Sequence, residues 1–267
     1  MRSRIPGPYC SIRNEYVLDD GTTIRFPSSV PGPLGVTGSG TLAGGASRAG
    51  EPVVLTGEML RQIVPGLGDR AGAVAADLSL AMHEVGISTV VGQAMFIAQL
   101  AHESAGFKTM EERGGKTQYT KEKYKEKEAD DKWYDYFFFM YDKDSPSPRR
   151  RKVAAALGNT EAGDGAKYHG RGYIQITGRN NYRAAGAALK LDLENNPALA
   201  AEPAIAARLA AWFWKANKLN QLAQADSARN FKELTRRING GYNGLSDRIS
   251  YFERAKMVLM GGNSTLP

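Results

Sequence analysis

Between Thr89 and Glu103 apolar residues recur every three or four positions, and this run constrains the chain more than any other. Val90, Ala94, Ile97, Ala98 and Ala101 fall on one stripe of a helix, and Gly106 is placed to stop it. The same periodicity predicts a short helix through Leu60, Ile63 and Val64, ended by Pro65 and Gly66, and a longer one over Arg70 to Val85, ended by Gly86. Further helices are expected over Pro203–Lys218, Asn230–Ile238 and Ser246–Met260. No apolar run reaches the length of about 18 residues that a membrane span needs. The fold expected from the pattern is mainly α, with at most a small β element.

Residues 1–50 stand apart from this pattern. Pro27–Gly50 is rich in Gly, Pro and Ser and reads as a linker, while YVLDDGTTIRF before it has the form of a small hairpin turning at Asp20 and Gly21. The expected organisation is therefore an N-terminal appendage over 1–50 and one functional domain over 51–267, which suits a chain of 267 residues. The lone cysteine, Cys10, makes no internal disulfide, so the fold does not depend on oxidation. The basic N-terminus lacks the apolar stretch of a secretion signal, which predicts synthesis in the cytoplasm. With 35 Lys and Arg against 28 Asp and Glu the net charge is +7, which favours anionic partners: nucleic acid, anionic lipid or bacterial wall polymer.

Three segments carry candidate chemistry. Glu103 ends the central helix on a face shared with Phe96, Gln99 and Leu100, where partial desolvation would keep a carboxyl protonated as a general acid; a glutamate fraying into solvent reads the same way in sequence. Glu111 and Glu112, past a glycine break, offer a second carboxylate to activate water. The segment YHGRGYIQITGRNNY supplies Gly170, Gly172 and Gly178 for close backbone approach and Gln175, Thr177, Asn180 and Asn181 as polar contacts, with Tyr173 and Tyr182 as faces for sugar rings. As bare chemistry it reads equally as an edge strand and turn. In RRINGGYNGLSDR, Gly240 can adopt positive φ after a helix and leave Asn239 at its C-terminal end. His83, His102 and His169 lack a metal-ligand spacing, and neither a phosphate-binding glycine loop nor a Gly-x-Ser-x-Gly elbow occurs. WYDYFFFMY at 133–141 and Trp212–Trp214 are expected in the core, and Arg149–Lys152 in solvent.

Together AHESAGF, a glutamate nine residues on, GDGAKYHGRGYIQITGRNNY and INGGYNGLSDR resemble the family 19 glycoside hydrolases, in the lysozyme-like branch found in phage endolysins and bacterial wall-lytic proteins. The resemblance runs from about Thr56 to Gly261 and implies a mainly α, two-lobed, lysozyme-like domain with a central cleft. It also implies hydrolysis with inversion at the anomeric carbon and no cofactor. Carried over by position, it makes Glu103 the general acid and Glu112 the base, with Glu111 the fallback. Thr120, or else Thr117, becomes the hydroxyl that holds the water, and Gln175, Thr177, Asn181 and Asn239 become substrate-binding residues. Arg248 becomes a further cleft residue. Tyr242 and Asn243 stand where plant chitinases carry an acidic residue. The expected function is a muramidase cutting peptidoglycan glycan strands in the periplasm or wall of a target bacterium, as an endolysin or an injected effector. An effector would require an immunity protein in its producer. The expected state is a monomer without nucleic acid or membrane span; a chitinase and a non-catalytic wall- or nucleic-acid-binding module are the competing readings. An inverting pair of carboxyl groups is expected roughly 6.5–9.5 Å apart.

Overall fold

The computed structural model describes residues 53–126 and 131–261, together with the backbone of residues 15–17 and 23–25. The latter are two strands, β1 (Glu15–Val17) and β2 (Thr23–Arg25), paired antiparallel with Tyr16 opposite Ile24. This is the expected hairpin; its turn and the linker over 27–50 lie outside the described residues.

The remainder is mainly helical. In chain order it comprises α1 (Gly57–Ile63), α2 (Ala71–Glu84), α3 (Val90–Glu103), β3 (Lys116–Gln118), α4 (Lys121–Tyr124), β4 (Trp133–Asp135), α5 (Tyr136–Tyr141) and α6 (Pro148–Ala156). There follow α7 (Asp164–Lys167), α8 (Arg179–Leu189), α9 (Pro203–Ala216), α10 (Ala228–Asn239) and α11 (Leu245–Leu259). The six helices read from periodicity are present as α1, α2, α3, α9, α10 and α11. Helices α4 to α8 were not legible that way, because most are under ten residues and lack a repeating apolar face. Their signals are caps instead: Thr120, Asp135 and Ser147 accept the first free amides of α4, α5 and α6.

Helix α3 starts at Thr89, whose hydroxyl accepts from Gly92 N at 3.0 Å. It is covered on all sides rather than on one stripe, with every residue from Gly92 to Ala101 buried. Helix α11 packs along it and α2 packs on α9, so the buried glutamines on α3 need protein partners. Gln93 bonds both the amide and the carbonyl of Val53, and Gln99 donates to Thr235 Oγ1 at 2.9 Å. Phe96 meets Trp214 edge to face at 5.2 Å, which puts Trp212–Trp214 in the core as expected.

The apolar side chains form two separate clusters, giving the two lobes. The larger is built by α1–α3 and α8–α11. The smaller joins Tyr119, Phe139, Met140, Tyr141, Val153 and Leu157, with the Phe139 ring 4.5 Å from that of Tyr124 and 4.8 Å from that of Tyr119. The aromatic segment is thus core at its C-terminal end only. Trp133 at its start is 61% exposed on β4 of the two-stranded ribbon. Among the described residues no helix is long and apolar enough to cross a membrane.

Candidate active site

Glu103 occupies the last turn of α3, and its surroundings differ from the apolar setting expected. Arg248 of α11 lies fully buried against it, its Nη2 donating to Glu103 Oε1 at 2.5 Å. The same guanidinium donates to Gln99 Oε1, one helical turn back on α3, and through Nε to Asn243 O at 3.2 Å. Three acceptors therefore hold the arginine, and the arginine holds one oxygen of Glu103. The other oxygen, Oε2, is buried with no hydrogen-bond partner among the described residues. Arg248 is accordingly corrected from a cleft residue to a buried clamp on Glu103.

After α3 the chain reverses through Ala105, Gly106 and Phe107, all at positive φ (50°, 72° and 59°). Two of these three are not glycine, so the turn must be held from outside. Ser104 does this: its hydroxyl accepts from Phe107 N at 2.9 Å and its carbonyl accepts from Lys108 N and Thr109 N. The reversed strand then docks on the central motif, with Gly172 N donating to Met110 O and Glu112 N to Gly170 O, both at 2.8 Å.

This docking separates the two adjacent glutamates. Glu111 points outward, half exposed, and is gripped by Arg171 Nε at 2.6 Å and His169 Nε2 at 3.0 Å. Burial pushes its carboxyl up, but the Arg171 and His169 contacts outweigh it and hold the group below the usual range. Glu112 points inward. Tyr136 and Tyr141 donate to its Oε1 at 3.1 and 2.9 Å, and Gly170 N donates to Oε2 at 3.2 Å. Burial nevertheless dominates and raises its pKa above the ordinary 4.5. Glu112 is a basic, desolvated carboxylate held by donors from the smaller lobe; Glu111 is a surface ion pair.

The central motif is a tight reversal, not an open sugar platform. Tyr173 and Tyr182 are buried: Tyr173 packs edge to face on Phe107 at 5.1 Å, and the Tyr182 hydroxyl bonds His169 O at 2.8 Å. The stacking role expected for these rings is corrected, because neither has a free face. Gln175, at φ 52°, donates Nε2 to Gly172 O, Thr177 donates to Gln175 O, and Asn181 donates to Thr177 O at 2.6 Å. These three buried polar groups satisfy the backbone of the reversal that presents Gly170 to Glu112. A Cβ built at Gly170 would stand 3.0 Å from Gln175 Oε1 and 3.2 Å from Glu112 Oε2, so a side chain there would crowd both.

Asn239 ends α10, followed by Gly240 at φ 73° as expected for a glycine C-cap. Both polar atoms of its amide are buried without a hydrogen-bond partner among the described residues. Thr120 is committed to its helix, its hydroxyl accepting from Lys123 N at 3.2 Å. Thr117 is buried against the Tyr124 hydroxyl at 2.5 Å. Both hydroxyls thus serve the smaller lobe itself. No group of three or more His, Cys, Asp or Glu that could hold a metal occurs among the described residues.

The profile of a family described as class I chitinase, glycoside hydrolase family 19, matches residues 87–229. A family 19 domain-containing protein of Haemophilus influenzae is 34% identical over 187 residues, covering 68% of this chain and 86% of that one. The chain belongs to glycoside hydrolase family 19. Acidic endochitinase Q of Nicotiana tabacum is 37% identical over 112 residues, spanning 33% of this chain and less than half (44%) of the tobacco enzyme. Among solved structures, chitinase C from Streptomyces griseus has the same fold at 22% identity and TM-score 0.50, covering 84% of this chain and 81% of that one. A variant of a chitinase C aligns at 20% identity and TM-score 0.51, over 83% of this chain and 99% of that one.

As a family 19 glycosidase, the chain carries site residues that local sequence reading passed over. Tyr136 and Tyr141 lie 24 and 29 residues after the carboxylate they hold. Only the density of aromatic residues at 133–141 hints at them, and such density points to core packing ahead of a ligand platform. Gln99 shares a helix face with Glu103 in the sequence, but nothing local marks it as the second anchor of the arginine that binds Glu103.

Proposed function

We propose that this family 19 glycosidase cleaves peptidoglycan glycan strands by single displacement. Glu103 protonates the leaving oxygen while Glu112 takes a proton from water on the opposite face of the sugar. One observation carries the catalytic assignment: two buried carboxyl groups from different segments, Glu103 pinned at one oxygen by Arg248 and Glu112 held by two tyrosine hydroxyls and the Gly170 amide. With Oε1 clamped, Oε2 is the atom of Glu103 that hands over the proton. Glu112 is suited to the opposite task, since burial makes it a stronger base than an exposed glutamate. Asn239, with both amide atoms unpaired among the described residues, fits the N-acetyl amide of a bound sugar.

A net charge of +7 favours a carboxylate-bearing wall polymer over uncharged chitin. The chitinase reading is favoured by the tobacco relative and the Streptomyces structure, both of which carry that name. On the wall-glycan reading the protein works in the wall or periplasm of a target bacterium, as endolysin or effector; for an effector, a producer immunity protein would cover the Glu103 site.

The test is turbidity decay of outer-membrane-permeabilised Gram-negative cells with wild type and folded Glu103→Gln, with chitin oligosaccharides assayed in parallel. Lysis is expected to vanish in the variant and wild-type fragments to carry muramic acid at their new reducing ends. Release from chitin without wall lysis would favour the chitinase; lysis surviving in the variant would remove Glu103 as the acid.

A further inference from the structure

A groove of about 530 Å³ lies beside the loop after α10, lined by Ala228, Arg229, Lys232 and Glu233 of that helix and by Tyr242. Helix α10 carries Arg229, Lys232, Arg236 and Arg237 against one carboxylate, Glu233, a local charge of 4 − 1 = +3. Glu233 is committed to the two later arginines, at 2.8 Å from Arg236 and 3.0 Å from Arg237, and the hydrogen bond from Arg236 above all holds its carboxyl below the usual range. Arg236 and Arg237 also suit the C-terminal end of the helix, where the macrodipole is negative. Arg229 and Lys232 have neither reason to be there. They are exposed, have no acidic partner among the described residues, and stand in the half of the helix where a cation gains nothing from the dipole.

Tyr242 completes the groove. The residue is 54% exposed, leaving its ring open to a ligand. The loop that carries it also reaches Glu103. Asn243 O accepts from Arg248, the residue bonded to Glu103, and Gly244 lies so close to His102 that a Cβ there would fall 2.0 Å from the imidazole Cε1. The loop that lines the groove is thus tied directly to the residues around Glu103 at the end of α3.

We propose that this groove is a subsite for the carboxylate-bearing part of the substrate: the Tyr242 ring stacks on a sugar, and Arg229 and Lys232 take the lactyl or stem-peptide carboxylate attached to it. The inference rests on the wall-glycan reading above and names the residues that make it selective. Two unpaired cations have no task on a neutral N-acetylglucosamine polymer, whereas each muramic acid unit presents at least one carboxylate.

The test compares kcat/KM on peptide-bearing peptidoglycan fragments with kcat/KM on chitin oligosaccharides of equal ring number, for wild type and Arg229→Ser/Lys232→Ser, at low and high salt. Both positions are exposed, and circular dichroism checks that the double variant is folded. The ratio of the two values is expected to fall about tenfold in the variant, through KM, as for the loss of two solvent-exposed ion pairs. The salt dependence of the wild-type KM on peptidoglycan should be lost with it. An unchanged ratio, or an equal fall on both substrates, overturns the subsite while leaving the wall-glycan reading intact. A wild type that cuts chitin oligosaccharides but not peptidoglycan overturns that reading itself, and the subsite with it.

Discussion

Glu112 owes its basicity to a balance between burial, which raises its pKa, and three donors that favour its charged form. Removing a donor tips that balance further. Tyr141→Phe keeps the ring in the smaller core but deletes the 2.9 Å hydrogen bond, so the pKa of Glu112 should rise again. A base must be ionised to act, and activity is lost as pH falls through its pKa. The acidic limb of the kcat/KM profile should therefore move to higher pH, with activity reduced at mildly acidic pH and nearly retained at alkaline pH. A profile that drops uniformly without moving would mean that Tyr141 does not act through Glu112. At this scale the local conformers were legible and the partners were not. Gly240 could be assigned from the residues around it, whereas the tyrosines on Glu112 and Arg248 on Glu103, 145 residues away, required the folded chain.

Among the elements, the joint between α6 and α8 is closed by two residues without a side chain, Gly158 and Gly178. Gly178 precedes α8 at φ 95°, and a Cβ there would lie 2.6 Å from Leu157 Cβ and 2.8 Å from Leu157 O. Across the same joint Asn180 N donates to Leu157 O at 3.1 Å and Arg179 N to Asn159 Oδ1 at 2.9 Å. Gly178→Ala adds a strained φ to a backbone clash and is expected to destabilise the protein by about 2–4 kcal/mol, measured as a lower urea midpoint at unchanged m-value. A loss below about 0.5 kcal/mol, the ordinary scatter of surface substitutions, would show that the joint can yield. The long helices could be read because a 3.6-residue period repeats several times within each of them. A helix of four to nine residues repeats it once or twice, so α4 to α7 escape that reading and only α4, α5 and α6 carry a side-chain cap as a local mark.

At the scale of the molecule, the smaller lobe has few buried side chains with which to hold the tyrosines of α5 against Glu112. Phe139 is fully buried at its centre, in contact with the rings of Tyr119, Tyr124 and Tyr134. Phe139→Ala should cost about 3–5 kcal/mol, concentrated in that lobe. Hydrogen exchange is expected to quicken in α5 and α6 while α3 keeps its protection, with activity lost below the temperature of the main unfolding transition. Equal acceleration in both lobes would mean that they unfold as one unit.

Sequence alone determined the mainly helical body, the central helix ending in a glutamate, the positive-φ glycine after Asn239 and, through its motifs, the family. These follow from residues close in the chain, where period, caps and spacing act directly on the backbone. Tertiary structure decided which of two adjacent glutamates turns inward, that Arg248 faces Glu103 instead of substrate, and that Tyr173 and Tyr182 are buried. Each of these depends on what lies opposite across a packed interface. Burial and pairing are set by distant segments brought together, and a carboxyl or a tyrosine ring has the same local sequence whether its partner is water, an arginine or the core.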